Sequence, residues 1–216
     1  MDFNVLTVCI GNIHRSTFAA AMLRTWADWY LPPEVARDVR ISSAGLGAPV
    51  GAPMGRRVRM LAARFGADDL EHRAVALTDE MIEGAHLVLT ATRQQRDDVL
   101  ERVPSALPVT FTIREAGRIA QSLPVLSPPG EARQLRAVVA ALGDRRMRTR
   151  PGDDDIVDPH GRADVVHVRM VQQELTALVH LGQAMLGMPE ADAAAYLAAA
   201  DDAAPLLQTL QEKARR

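Results

Sequence analysis

Short apolar runs alternate along this chain with longer segments of helical periodicity. The apolar runs predict four strands, at residues 3–9, 39–43, 85–90 and 108–111. The segments between and after them predict helices at 16–30, 53–65, 93–102, near 131–142 and at 163–186. Strands that alternate with helices require right-handed crossovers and a parallel sheet. We therefore predict an α/β fold, a three-layer sandwich with a four-stranded parallel sheet and helices on both faces.

The first strand leads into a short loop, residues 9–16, that ends where the first helix begins. Backbone N–H groups in such a loop, together with the positive end of the helix dipole, can hold a dianion such as phosphate. Gly11 can adopt the backbone angles that the loop needs, and Asn12 tolerates the left-handed region better than most residues. The strand, loop and helix therefore predict a phosphate-binding loop at the carboxyl end of the first strand.

Cys9 and Arg15 bring reactive groups to this loop. Amide donors, a helix N-terminus and a nearby cation favour the thiolate, which is the nucleophilic form of cysteine. The planar guanidinium of Arg15 can hold two oxygens of a phosphoryl group while the thiolate attacks phosphorus. The hydroxyl of Ser16 can donate to the sulfur when it leaves. The alternative is a core cysteine at a strand end with no catalytic role.

The loop resembles the signature of the low-molecular-weight protein tyrosine phosphatases, an apolar strand followed by Cys-x-Gly-Asn-x-Cys-Arg-Ser-Pro. Ile13 matches the residue usual in the phosphotyrosine branch, whereas an arginine-phosphate-directed branch carries Thr. His14, Thr17 and Ala20 stand where Cys, Pro and Glu are usual. The resemblance implies a cysteinyl-phosphate mechanism in which Cys9 and Arg15 are catalytic. It also implies that the substrate is bound by Ile10, Gly11, Asn12, Ile13, His14 and Ser16.

Two later segments continue the resemblance. Residues 42–51 look like the Ser-Ala-Gly segment of bacterial members encoded with exopolysaccharide machinery, and residues 71–74 resemble the segment that holds the family's buried histidine. The resemblance implies that Asn12, Ser43 and His72 form a hydrogen-bonded support beneath the loop and that Pro49 belongs to the wall of the site. From the residues alone, a strand-end serine and an exposed histidine remain the alternative.

A departing alkoxide or phenoxide needs a proton, which a neutral carboxylic acid usually supplies. Pro159 biases Asp158 toward an extended conformation, and Gly161 permits a turn, so this carboxyl can lie over the loop. An Asp-Pro pair is common in ordinary loops. Combined with Cys9, however, it resembles the late acid loop of the family and implies that Asp158 is the general acid. His160 stands where an aromatic residue is common, so we expect a less aromatic substrate slot.

Composition and charge bear on the partners, cofactors and location of the protein. A formal net charge of −2 gives no indication of nucleic-acid binding. The single cysteine excludes an internal disulfide and a cysteine-rich metal site, and it is typical of a reducing cytoplasm. No set of residues has metal-ligand spacing, so we expect no metal and no cofactor. We also expect no secretion signal and no membrane span, because no apolar run approaches 18 residues.

The chain divides into a predicted phosphatase domain, residues 1–187, and a helical C-terminal extension, residues 188–216. The domain contains an Arg-rich insert at about 114–150. This insert either recruits an acidic partner or forms a solvated flap that pairs with Asp153, Asp154 and Asp155. The extension, interrupted at Pro189 and Pro205, either caps the core or forms a homodimer contact.

The sequence thus predicts a phosphomonoesterase, most specifically a protein tyrosine phosphatase that acts on a phosphorylated protein or a small phosphomonoester. One alternative is a phosphatase-like binding or regulatory protein with little turnover, but Cys9, Arg15 and Asp158 are all present. The other is an arsenate reductase, which on this scaffold relays a disulfide through additional cysteines. Because this chain has one cysteine, that relay cannot operate.

Overall fold

A computed structural model of the protein describes residues 2–67, 69, 71–123, 131–146 and 152–212. Its strands are β1 (Phe3–Cys9), β2 (Val39–Gly45), β3 (Leu87–Thr90) and β4 (Thr110–Thr112). They form one parallel sheet in the order β2-β1-β3-β4, in which β1 pairs with both β2 and β3. The predicted α/β class with a four-stranded parallel sheet is confirmed.

Ten α-helices surround the sheet in the part of the chain that the structure describes. They are α1 (Arg15–Tyr30), α2 (Pro33–Ala36), α3 (Arg56–Arg64), α4 (Asp79–Glu83), α5 (Arg93–Arg102), α6 (Ile113–Ala120), α7 (Ala132–Arg146), α8 (Asp164–Leu181), α9 (Glu190–Asp201) and α10 (Ala203–Glu212). A π-helical turn over Gly182–Leu186 continues α8 until Gly187 ends it in the left-handed conformation.

The alternation of side chains along β1 creates the two helical layers. Phe3 and Val5 point into a large cluster that includes residues of α1, α3, α6, α7 and α8, whereas Leu6 and Val8 point into a smaller cluster with residues of α4 and α5. Successive residues of a strand face opposite sides of its sheet, so one apolar strand serves both layers. Helices therefore cover both faces, as predicted.

The strand order places the end of β1 where a ligand can bind. β2 lies on one side of β1 and β3 on the other, so the chain changes direction across the sheet at this strand. In open parallel sheets, ligands bind beyond the carboxyl ends of the strands at such a point. Cys9 is the last residue of β1 and Arg15 the first of α1, so the residues between them occupy this position.

The structure departs from the prediction on both sides of β4. The last strand begins at Thr110 rather than at residue 108, because Pro104–Val109 form a 3₁₀ turn in which Pro108 has no N–H to donate to a sheet. Helix α6 was not predicted. It follows β4 directly and starts with a capping box, in which Thr112 accepts from the Glu115 N–H and Glu115 accepts from the Thr112 N–H. This three-residue spacing is the signal that periodicity analysis missed.

The region predicted as an Arg-rich insert contributes to the core as well as to the surface. Leu135 and Leu142 of α7 are fully buried in the large cluster. Residues 124–130 and 147–150 of this insert, and 213–216 of the extension, lie outside the described residues. The division of the chain at residue 187 remains a prediction.

Part of the insert pairs with the acidic segment that precedes the predicted acid loop. Arg114 Nη1 donates to Asp153 Oδ2 at 3.0 Å, and Arg118 Nη2 donates to both carboxylate oxygens of Asp154, at 3.0 and 2.9 Å. The third acid, Asp155, instead accepts from the backbone N–H of Arg93, which lies in α5 and outside the insert. Two of the three ion pairs expected for a solvated flap are therefore present in the structure.

The C-terminal helices pack against the rest of the chain. The ring of Tyr196 in α9 lies 5.1 Å from that of the fully buried Trp26, and the Tyr30 hydroxyl donates to Asp192 at 2.9 Å. Leu206 and Leu210 of α10 are buried in the large cluster. These contacts cap the core, while a homodimer contact stays a prediction. Within the described ranges, no helix combines the length and the apolar character that crossing a bilayer requires.

Candidate active site

A cavity of about 230 Å³ opens at the carboxyl edge of the sheet, with Cys9 in its lining. It brings together nine of the predicted site residues, namely Cys9, Ile10, Gly11, Ile13, His14, Arg15, Pro49, Asp158 and His160. The structure adds Gly47, which sequence analysis did not single out. The other predicted residues, Asn12, Ser16, Ser43 and His72, are buried and do not line the cavity.

Two donors converge on the sulfur of Cys9. The backbone N–H of Asn12 donates to Sγ at 3.3 Å, and Ser16 Oγ lies 3.0 Å from Sγ. Asn12 Nδ2 donates to the same Ser16 oxygen at 3.1 Å, so the serine accepts there and its own proton can point at the sulfur. Both contacts can stabilise a thiolate at Cys9, because the N–H of Asn12 points at the sulfur and the hydroxyl of Ser16 can do so.

Asn12 fixes the curl of the loop. Its φ of 50° lies in the left-handed region, where asparagine is tolerated better than most residues. Its fully buried amide donates to Ser43 Oγ at 2.9 Å and accepts from the Val75 N–H at 2.9 Å. His72 Nε2 donates to the Asn12 carbonyl at 2.8 Å, and since a carbonyl can only accept, His72 carries its proton on Nε2. The loop is thus tied to β2 and to the segment around residue 75.

The end of β2 approaches the loop too closely for a side chain. A Cβ on Gly45 would lie 2.5 Å from the Ile10 oxygen and 2.9 Å from the Asn12 nitrogen. The following residues hold the loop by backbone hydrogen bonds, from Leu46 N to Cys9 O at 3.0 Å and from Gly47 N to Ile10 O at 2.9 Å. This close packing is a physical reason for the glycine in the Ser-Ala-Gly segment.

Arg15 and Asp158 form an ion pair at the cavity. Arg15 Nη2 donates to Asp158 Oδ2 at 2.7 Å, and Nη1 donates to the Ile156 carbonyl at 3.3 Å. The loop that carries Asp158 is tied to α8, because Gln173 Oε1 accepts from the Val157 N–H at 2.9 Å. A carboxyl from a segment 143 residues away therefore lies directly beside the loop arginine.

Three histidines cluster at the site, and two of them, His14 and His160, line the cavity. The ring of His14 lies 5.6 Å from that of His160 and 5.8 Å from that of His167. Gly55 leaves room for His14, since a Cβ there would lie 2.6 Å from the imidazole. Burial, followed by repulsion from His167, lowers the pKa of His14 to about 4. Across residues 2–67, 69, 71–123, 131–146 and 152–212, no three histidine, cysteine or acidic side chains are grouped to hold a metal ion.

One further ionisable residue near the loop was missed by sequence analysis. Glu174 of α8 is fully buried, and burial raises its pKa well above the usual range. The sequence does contain a signal for this burial. Glu174 lies four residues after Met170 and four before Leu178, within the apolar stripe of the predicted 163–186 helix.

Comparison with known proteins agrees with this geometry. The family model for low molecular weight phosphotyrosine protein phosphatases matches residues 4–122. The probable low molecular weight protein-tyrosine-phosphatase EpsP of Ralstonia solanacearum is 35% identical over 51% of this chain and 70% of the relative. A protein-arginine-phosphatase of Geobacillus stearothermophilus is 34% identical over 53% of this chain and 72% of the relative. The solved tyrosine phosphatase AmsI of Erwinia amylovora shares the fold, with a TM-score of 0.57 at 22% identity over 82% of this chain and 90% of that one.

The fold and the cysteine loop together define a cysteine-dependent phosphatase. The chain belongs to the low molecular weight phosphotyrosine protein phosphatase family, and the resemblance found in its sequence is confirmed. The family match ends just after α6. It therefore includes the loop, Ser43 and His72 but not Asp158.

Stability below neutral pH tests the burial of His14. Its folded-state pKa of about 4 lies below the ordinary value of 6.5, so the unfolded chain binds the proton more readily and stability is lost as pH falls from 6.5 toward 4. We expect His14→Asn to lose less Tm than the wild type between pH 7.5 and pH 4.5. The variant Ile13→Val, with no titrating group, should keep the wild-type slope. Equal slopes for His14→Asn and wild type would contradict the buried neutral imidazole.

Proposed function

We propose that this protein hydrolyses phosphotyrosine in proteins through a cysteinyl-phosphate intermediate. The observation that carries the proposal is the position of Cys9 in the cavity lining, with Sγ in contact with the Asn12 N–H and the Ser16 hydroxyl. A thiolate held by fixed donors is a nucleophile directed at a bound phosphoryl group. The phosphate dianion would be held by the backbone N–H groups of the loop and by Arg15.

The first chemical step forms an S–P bond and breaks the P–O bond to the substrate. Cys9 attacks phosphorus, the bonding electrons move to the leaving oxygen, and Asp158 in its acid form donates a proton to that oxygen. Water then attacks the cysteinyl-phosphate and gives a proton to Asp158, which releases inorganic phosphate and the thiolate. Ser16 assists the second step, in which negative charge returns to sulfur, because its hydroxyl lies within hydrogen-bond distance of Sγ.

Support for Asp158 comes from geometry, since the acid loop lies outside the family match. Its carboxyl lines the cavity and contacts Arg15, and no other acidic side chain lines this cavity among the described residues. A phosphoryl group that binds Arg15 would take the place of the carboxylate. That exchange would free Asp158 to face the leaving group.

The walls of the cavity favour an aromatic phosphate ester. Ile10, Ile13 and Pro49 give the lining apolar surface, which suits a phenyl ring, and His14 and His160 also line the cavity. One relative is named a protein-arginine-phosphatase, so phosphoarginine is the second candidate substrate. Ile13, the residue usual in the phosphotyrosine branch, favours tyrosine. The partner would be a phosphorylated protein in a reducing compartment, which we propose is the cytoplasm.

Replacing the nucleophile tests the mechanism and the substrate together. We expect the wild type to release phosphate from a phosphotyrosine peptide at least tenfold faster than from a matched phosphoarginine peptide. Cys9→Ser should abolish turnover of both peptides but still bind inorganic phosphate, because a neutral hydroxyl lacks the nucleophilicity of the thiolate. A turnover-competent Cys9→Ser variant would exclude the covalent mechanism. Wild-type protein that binds phosphate without hydrolysis would instead be a phosphate-binding or regulatory protein.

The dependence of rate on the leaving group tests the acid. Asp158→Asn should slow an alkyl phosphate by about 10²–10⁴-fold but an aryl phosphate with an acidic phenol far less, because that phenol departs without a proton. The measurement is kcat/KM for a series of aryl phosphates against leaving-group pKa. Asp164→Asn is the control, because it removes an acid that pairs with Arg57 outside the cavity. Its plot of kcat/KM against leaving-group pKa should have the same slope as that of the wild type. If the plot for Asp158→Asn also has the wild-type slope, Asp158 takes no part in proton transfer.

A further inference from the structure

Glu174 occupies an unfavourable position for an acid. It lies on α8 between apolar positions that fill the core, and its side chain has no exposed surface. Neither carboxyl oxygen has a hydrogen-bond partner within the part of the chain that the structure describes. A buried polar group without a partner is destabilising, and an apolar residue of similar volume would avoid that cost. The fold alone therefore gives no reason for a carboxyl at this position.

The groups that act on Glu174 belong to the phosphate loop. After burial, the largest influences on its pKa are the guanidinium of Arg15, which lowers it, and Cys9, which raises it. Glu174 is thus within electrostatic reach of the nucleophile and of the arginine that would bind phosphate. Arg15 is the first residue of α1, which packs against α8, and Cys9 lies in the same large cluster as Val171 and Leu175 of α8.

Arg15 has a matching unpaired donor. Its two terminal nitrogens donate to Asp158 and to the Ile156 carbonyl, but the buried Nε has no partner among the described residues. A guanidinium carries its donors in one rigid plane, so a change of partner at Nη2 reorients Nε as well. Arg15 Nε is therefore a buried donor without a partner, and the two carboxyl oxygens of Glu174 are buried acceptors without a partner.

We propose that Glu174 is a positioning residue that accepts a hydrogen bond from Arg15 Nε when a phosphoryl group displaces Asp158 from Nη2. The proposal rests on the proposed function, because it needs phosphate to bind Arg15. Glu174 then holds the guanidinium from behind while its fork faces the phosphoryl oxygens. A carboxylic acid and a carboxylate can both accept this bond, and so can the amide oxygen of glutamine.

The proposal predicts opposite effects on stability and on phosphate binding. Glu174→Met should raise the ligand-free Tm, by about 2–4 °C, because an unpaired buried carboxyl is replaced by apolar volume. The same variant should raise the Kd for inorganic phosphate roughly tenfold, because Arg15 loses its support. Glu174→Gln should keep the Kd within about threefold of the wild type, since the acceptor is retained. Met170→Leu, another buried substitution on α8, is the matched control and should change neither Kd nor activity.

Phosphate affinity distinguishes failure of the role of Glu174 from failure of the proposed function. Wild-type phosphate affinity in Glu174→Met would overturn the role of Glu174 alone, and so would equal losses in the Met and Gln variants. Wild-type protein that binds no phosphate would overturn the proposed function as well.

A second measurement needs no variant of Glu174. In protein with labelled arginine, phosphate should shift the Arg15 Nε–H resonance downfield and slow its exchange with water. An unchanged resonance at saturating phosphate would contradict the proposal even if the apolar variant failed to fold.

Discussion

The left-handed backbone of Asn12 is the constraint on which the site depends. A loop that curls around a dianion must turn its N–H groups inward, and one residue must leave the ordinary regions of φ and ψ to do so. The buried amide of Asn12 compensates for that cost, because it donates to Ser16 and to Ser43 and accepts from the Val75 N–H. Its carbonyl is held in turn by His72. The position of the donors around Cys9 follows from these bonds.

One cation is shared by several acidic groups at this site. Arg15 bonds Asp158 directly, lies next to the nucleophile in the cavity lining, and acts on the buried Glu174. Little water reaches it, since its side chain is 5% exposed, so each of these interactions is stronger than it would be in solvent. Under the proposed mechanism, a phosphoryl group that binds Arg15 would displace Asp158 and bring Arg15 Nε to Glu174. This coupling connects substrate binding to the release of the proposed general acid.

Local signals predicted most of the fold and the loop, but tertiary packing determined the rest. The strand, loop and helix at Cys9 are adjacent in sequence, so their geometry could be predicted from residue types alone. Helix α6 was missed because its signal is a capping box rather than a long periodic stretch. Glu174 could not be assigned a role, because the distance between α8 and the loop is set by packing of the whole core. The Arg-rich segment likewise reads as surface, yet α7 buries Leu135 and Leu142.

The hydrogen bond between Asn12 and Ser43 supports the phosphate site, although neither side chain lines the cavity. A double-mutant cycle on phosphate affinity, with Asn12→Ala, Ser43→Ala and the double variant, tests this most directly. We expect each single substitution to weaken binding and the double variant to bind no more weakly than Asn12→Ala, which is a coupling of about 1 kcal/mol. Fully additive losses, or single variants that bind phosphate as tightly as the wild type, would contradict it.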